Sequence, residues 1–277
     1  MRKVLLRTSL AFLLVSLVAG AALAQQAEPD RYVAVSYIKV LPGQDAAYRD
    51  YLATTGKKVF QELMAANPNF VAWSVARVMY SGVGEGIDYD YVGASVYVGA
   101  VQEPGMNMDP IAQKAAGMSN ADLQKKLSAM RTIVGTEVLR RRAGTGGTGT
   151  YKEGDFRITN RIKIKENMTS EYLNMIQTMV QPMMQARVAA GELKGWSTWS
   201  RVFPSGAATS YDVLGVTYWK DLASAINGLD AAKGMEAFTK AHPGKNYAAF
   251  ISDARDYSEM QQRTVMQVIA MVERPAR

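Results

Sequence analysis

The sequence predicts an α+β fold of two tandem βαββαβ modules, and three observations carry that prediction. The first is self-similarity, which is sought before any local motif. Residues 32–40 and 156–164 align at an offset of 124, and the same offset pairs Tyr48 with Tyr172, Arg77 with Arg201 and Arg131 with Arg255. The second is that β-rich and helix-periodic runs follow one another in the same order in both copies. The third is a matched turn: Ser81-Gly82 precedes Tyr89-Asp90, and Ser205-Gly206 precedes Tyr211-Asp212 after a turn two residues shorter.

Each element has its own local reason. Residues 32–40 form a β-rich run ended by Pro42-Gly43. A helix is predicted over 45–66, where Tyr48, Tyr51, Leu52, Val59, Phe60 and Leu63 recur at helical spacing until Pro68. Strands 70–80 and 89–98 flank a turn containing Gly82, Gly84 and Gly86, the signature of a hairpin. A helical region centred on 121–134 leads to a last strand at 136–141. The second copy reads as strand 156–164, helix 170–190, strands 195–203 and 211–219, helices across 222–262 and strand 264–272. The repeating unit is a ferredoxin-like module. The chain then divides into a signal peptide (1–24), a first repeat (25–143), a Gly/Thr-rich linker (144–152) and a second repeat (153–277).

Arg2, Lys3 and Arg7 begin a basic segment, followed by an apolar run of about 15 residues and an Ala22-Leu23-Ala24 cleavage site. The run is shorter than the ~20 residues a spanning helix needs. A signal peptide cleaved after Ala24 is expected, which predicts a periplasmic or secreted protein with no membrane attachment afterwards. Composition narrows the chemistry. The 277 residues include one His and no Cys, which excludes disulfides, thiol nucleophiles, Cys-ligated zinc and paired-His metal sites. The full chain holds 32 Lys and Arg against 25 Asp and Glu, three of the basic residues lying in the signal. Arg140-Arg141-Arg142 is one short cluster without interleaved aromatics, so nucleic acid is not an expected partner. Gly144, Gly146 and Gly149 match G-x-G-x-x-G. A dinucleotide site needs a helix next, and a strand follows here.

Two such modules in one exported chain resemble the dimeric α+β barrel superfamily. The resemblance is carried by Tyr37-Ile38-Lys39-Val40 with Pro42-Gly43, Trp73 through Arg77 to Tyr80-Ser81-Gly82, and Tyr89-Asp90-Tyr91-Val92. In the second copy it rests on Ile162-Lys163-Ile164, Gly195-Trp196 through Arg201 to Pro204-Ser205-Gly206, and Tyr211-Asp212-Val213. It implies two four-stranded sheets packed into an intrachain barrel, helices outside and a cavity between. Cofactor-free monooxygenases and the haem-degrading branch of the superfamily tend to use Asn, Trp and His together. No His falls in the first helix of either copy, which argues against those activities.

Candidate ligand-binding residues are Trp73, Arg77, Tyr91, Trp199, Arg201 and Tyr211, on strands two and three of each copy. Rings with a polar edge line cavities, and they fill small barrels equally well. Hairpin register suggests that Arg77 pairs with Asp90 and Arg201 with Asp212 across the strands. His242, before Pro243-Gly244, reads as an exposed loop histidine rather than an iron ligand. Met175, Met179 and Met183 share a helix face and read as core filler rather than a Cu(I) site. Pro182 should kink that helix. No catalytic set or metal-binding spacing is recognised, and no cofactor is expected. The function expected is binding of a small, partly apolar molecule in the barrel cavity, by a monomer or homodimer. A cofactor-free oxygenase or isomerase and a structural or partner-binding protein with a filled barrel stand as alternatives.

Overall fold

The computed structural model describes residues 29–81, 88–99, 101, 106–145, 151–206 and 208–274. The expected signal peptide, the glycines of the first hairpin turn, and Gly146 and Gly149 lie outside them. The first repeat comprises β1 (Arg31–Val40), α1 (Asp45–Tyr51), a π-helical turn (Leu52–Gly56), α2 (Lys57–Ala66), β2 (Phe70–Ser81), β3 (Tyr91–Val98), α3 (Asp109–Ala116), α4 (Asn120–Ser128) and β4 (Arg131–Thr145). The second comprises β5 (Phe156–Ile164), α5 (Thr169–Met175), a π-helical turn (Ile176–Val180), α6 (Gln181–Ala189), β6 (Gly195–Phe203), β7 (Val213–Trp219), α7 (Leu222–Asn227), α8 (Ala231–Ala241), α9 (Tyr247–Tyr257) and β8 (Ser258–Glu273).

The strands close into one barrel in the order β1-β3-β2-β8-β5-β7-β6-β4. Each repeat keeps its own antiparallel sheet of four, and the two sheets hydrogen-bond edge to edge rather than only stacking. The joints are the two longest strands. β4 pairs with β1 through residues 131–140 and with β6 through 138–145. β8 pairs with β5 through 258–267 and with β2 through 264–273. Closure leaves no open sheet edge. It also explains why both strands start earlier than their sequence patterns indicate, and why Gly144 and Thr145, assigned to the linker, are strand. Thr145 is buried, and its Oγ1 accepts the Trp196 N–H at 2.9 Å.

Alternation sorts the strand residues between two cores. Val33, Val35 and Tyr37 of β1, Ala76 of β2, Val92 of β3 and Leu139 of β4 point into the barrel, where they meet Trp199, Leu214, Val216 and Met266 of the second repeat. The opposite row packs on helices. Ile38, Trp73, Val75, Tyr91 and Tyr97 meet α1–α4. Trp196 meets the Met-rich helix and Phe238. Met175 and Met183 are buried there, as the filler reading requires. The two π-turns occupy matched positions. Lys58 is the counterpart of Pro182, so the irregularity forms in the first copy without proline; Pro182 directly follows the second π-turn, in a helix that continues through it.

His242 is not an exposed loop residue. It caps α8, is buried, lies 5.0 Å from the Phe238 ring, and donates from Nε2 to the Met179 carbonyl at 2.8 Å. The turn at Pro243-Gly244 follows it, but Phe238 and the π-turn carbonyl draw the imidazole inward.

The Arg–Asp pairs do not form. Arg77 lies opposite Tyr91, while Val213, the counterpart of Tyr91, lies opposite Ser200. Arg77 is therefore equivalent to Ser200, and Val78 to Arg201. The register of β2 shifts near Val71, which accounts for the one-residue slip in the sequence alignment. Arg77 points outward, with Nη2 at 3.9 Å from Asp45. Arg201 points inward, and its N–H donates to the Asp212 carbonyl at 2.8 Å while the side chains part.

Candidate functional site

Two cavities lie near most of the candidate residues, one on each side of the sheet. The larger, about 220 Å³, lies in the first repeat between the outer sheet face and helices α1–α4. Its floor is Ile38, Trp73, Val75 and Gly93, and its roof is Tyr48, Tyr51, Leu52, Val59, Phe60, Ala112, Leu123 and Leu127. Phe60 stacks on Trp73 with centroids 4.1 Å apart and planes 13° from parallel. Gly56, in the π-turn, leaves room for Tyr51: a Cβ there would stand 3.2 Å from the Tyr51 carbonyl and 3.3 Å from its ring, and in ordinary contact with Trp73 at 3.7 Å.

The polar residues lining this cavity are Ser36, Ser95, Asn120, Gln124, Tyr48, Tyr51 and Arg131. Arg131 opens β4 at its rim, and its Nε is buried without a hydrogen-bond partner. Burial pushes the Tyr48 hydroxyl up to about 12, opposed by the Arg131 charge, and burial also raises Tyr51. Both phenols are thus neutral donors at ordinary pH. Tyr91 stands behind the wall. It meets Tyr48 edge-on at 5.3 Å and donates to Asp45 Oδ1 at 2.5 Å; burial first, and that bond second, raise it. In the second repeat the corresponding space is packed by Met175, Ile176, Met183, Trp196 and Phe238.

The barrel lumen holds the smaller space, about 50 Å³. Its first-repeat wall is mostly aliphatic, with Val33, Val35, Val92, Ala94 and Val96, and carries the hydroxyl-bearing Tyr37, Ser74 and Tyr89 as well. Its second-repeat wall carries Arg157, Thr159 and Arg161 in the positions of Val33, Val35 and Tyr37. Arg161 lies 5.0 Å from the Tyr37 ring centroid and 5.1 Å from that of Tyr211, and donates to Gln262 Oε1 at 2.8 Å. Arg201 lies 3.6 Å from the Tyr211 centroid, with Nη2 at 3.9 Å from Glu137 Oε1. Tyr211 donates to the other oxygen of Glu137.

The six candidates therefore divide. Trp199, Arg201 and Tyr211 come together in the lumen. Trp73 lines the helix-side cavity, Tyr91 buttresses it, and Arg77 lines an open cleft at the sheet end with Asp45, Tyr89 and Asp90. Sequence reasoning missed Arg131, Arg157 and Arg161. For the last two a signal existed, since Ile158, Ile162 and Ile164 mark the helix-facing row of β5 and leave Arg157 and Arg161 to the other face. Among the described residues no group of three or more His, Asp or Glu converges as a metal site. Nor is any helix among them long and apolar enough to cross a membrane.

No protein-family model matches the sequence, and no curated protein sequence matches it. Solved structures match the fold. A proposed monooxygenase from Fusobacterium nucleatum superposes with a TM-score of 0.57 at 10% identity, over 90% of this chain and 96% of that one. A proposed monooxygenase from Lactobacillus acidophilus gives 0.51 at 7% identity, over 89% and 97%. An anthrone oxidase-like protein gives 0.50 at 8% identity, over 90% and 95%. The chain has the dimeric α+β barrel fold, with two ferredoxin-like modules in one polypeptide.

Proposed function

We propose that the protein binds a small, partly apolar molecule with an acidic or hydrogen-bond-accepting end, in the helix-side cavity of its first repeat. The carrying observation is the 220 Å³ space walled by Trp73, Phe60 and Leu52, with the unpartnered Arg131 Nε and the neutral Tyr48 and Tyr51 phenols at its polar end. Apolar walls with a few placed donors are what orient small ligands. The volume suits a single-ring compound better than a drug-sized one, since drug-sized ligands take about 300–1,000 Å³. The site moves from the barrel interior, where the sequence suggested it, because the lumen is several times smaller. Export after Ala24 remains part of the reading, motivated by the basic start, apolar run and Ala-x-Ala site.

Isothermal titration with 4-hydroxybenzoate and related single-ring acids tests the proposal. Ala112→Trp, which fills the cavity, should abolish binding, and Arg131→Met should weaken it at least tenfold. No heat with any acid, or binding unchanged by Ala112→Trp, would overturn it. Dioxygen consumption in the same mixtures would carry the reading to the oxygenase alternative, which the monooxygenase descriptions of the fold neighbours make worth measuring.

A further inference from the structure

The lumen contains more positive charge than its surroundings neutralise. Arg157 is 4% exposed and Arg161 8%, and neither has a carboxylate in ion-pair contact among the described residues. Arg157 reaches the Met266 sulfur, at 3.6 Å, and the Tyr218 hydroxyl, with Tyr151 close by; its Nε is buried without a partner among the described residues. Glu137 is committed elsewhere, to Arg201 and Tyr211. The nearby phenols do not compensate. Burial raises Tyr37 and Tyr218, so both stay protonated, and a guanidinium cannot shed its proton. A buried ion without a counter-charge costs several kcal/mol. The 50 Å³ cavity has room for only about three or four waters to offset that.

We infer that the barrel lumen is a binding site for a small monoanion, a carboxylate or nitrate of about four heavy atoms, held by Arg157, with Arg161 adding positive charge from the same wall. The guanidinium fork matches the two oxygens of such an anion, and the 50 Å³ volume excludes larger ones. The site is separate from the helix-side cavity, since it lies on the other face of the sheet and uses different arginines. It is a product of divergence between the copies: the first repeat offers Val33 and Tyr37 where the second offers Arg157 and Arg161.

The test is thermal unfolding of the purified protein in sodium nitrate and in sodium acetate. Ionic strength is held constant with sodium gluconate, whose anion is too large for the lumen. Either small anion should raise Tm saturably, by about 5–10 °C at a hundredfold excess over its dissociation constant. Arg157→Met should abolish the rise while keeping or raising the anion-free Tm, because an apolar chain of similar length removes an uncompensated charge. Arg131→Met, at the other cavity, should leave the rise intact. No saturable rise in the unmodified protein, a rise undiminished in Arg157→Met, or one abolished only by Arg131→Met would overturn the inference. Should Arg157→Met fail to fold, crystals of the unmodified protein grown in sodium bromide decide the matter. An anomalous peak beside Arg157 Nε supports the site, and a lumen without one refutes it.

Discussion

Lys163 reaches the Asp212 carboxylate at 3.1 Å, while the other oxygen of Asp212 accepts the Ile164 N–H at 2.8 Å. The first repeat reproduces this with Lys39 at 3.4 Å from Asp90 and the Val40 N–H at 2.9 Å. One aspartate thus pins the end of the first strand to the start of the third in both copies. The duplicated aspartates serve the backbone, which is why they do not answer the arginines on the neighbouring strand.

Asp212→Ala should cost about 1–2 kcal/mol, the sum of a half-exposed ion pair and one charge-assisted bond to backbone. Asp212→Asn keeps an acceptor for Ile164 and should cost less than half as much. Urea unfolding of both variants, and of Asp90→Ala and Asp90→Asn, checks the claim. Equal losses for Ala and Asn would show that the backbone bond contributes nothing.

Gly228→Ala should be among the most damaging single substitutions. A Cβ there would lie 1.8 Å from the Trp219 ring, which is buried, bonded through Nε1 to Thr217 at 2.9 Å and covered by Arg187 at 5.4 Å. The ring has nowhere to go, so the loss should reach the upper end of the ~1–3 kcal/mol typical of overpacking. Gly234→Ala is the control. Its Cβ meets only the Tyr247 hydroxyl, at 2.9 Å, the far end of a side chain that can swing away. Calorimetric melting of the two should separate them clearly, and similar melting points would contradict the packing argument.

Alkaline pH should destabilise the fold over a defined window. Tyr48 ionises near 10 when unfolded and at about 12 when folded, because burial disfavours its phenolate. Its contribution is complete below pH 10 and is lost as pH rises towards 12. Tyr91 and Tyr172 are raised in the same direction by burial. Absorbance titration of phenolate should show an early class near pH 10 and a late class that appears only with unfolding. A single reversible transition near pH 10 would count against it.

The π-turns offer a test by deletion. A π-turn carries one residue beyond the α-helical count, so removing Thr54, which is exposed, should restore a plain helix with Tyr48 and Val59 still facing the sheet. Removing Glu62 from α2 instead rotates everything beyond it by about 100° and should abolish folding. Circular dichroism melts would show the first variant cooperative and the second not. If Thr54 deletion is as disruptive as Glu62 deletion, the turn is integral to the packing.

The succession of strands along each repeat was legible because apolar alternation, turn glycines and the 124-residue offset agreed with one another. Elements governed by closure were less so. The residues from Arg131 to Gly135 carry no core-facing alternation of their own and are strand only because β1 pairs with them. The helix Asp109–Ala116 is short, with Pro110 at its start and no strong apolar stripe, so it passed unnoticed. Arg157 and Arg161 alternate with Ile158 and Ile162, a pattern that normally reads as solvent outside and core inside. Here helices cover the isoleucines and the barrel encloses the arginines, an inversion set by tertiary topology.

The edge-to-edge joints made by β4 and β8 have a consequence for symmetry. In a barrel assembled from two identical chains, every interior residue is present twice, related by the twofold axis. Arg157, Arg161 and Arg201 would then each meet a copy of themselves in a space that barely admits a few waters. Covalent fusion breaks that equivalence. One half was free to acquire charge while the other stayed mostly aliphatic, and the lumen gained a direction that no homodimer of either half has.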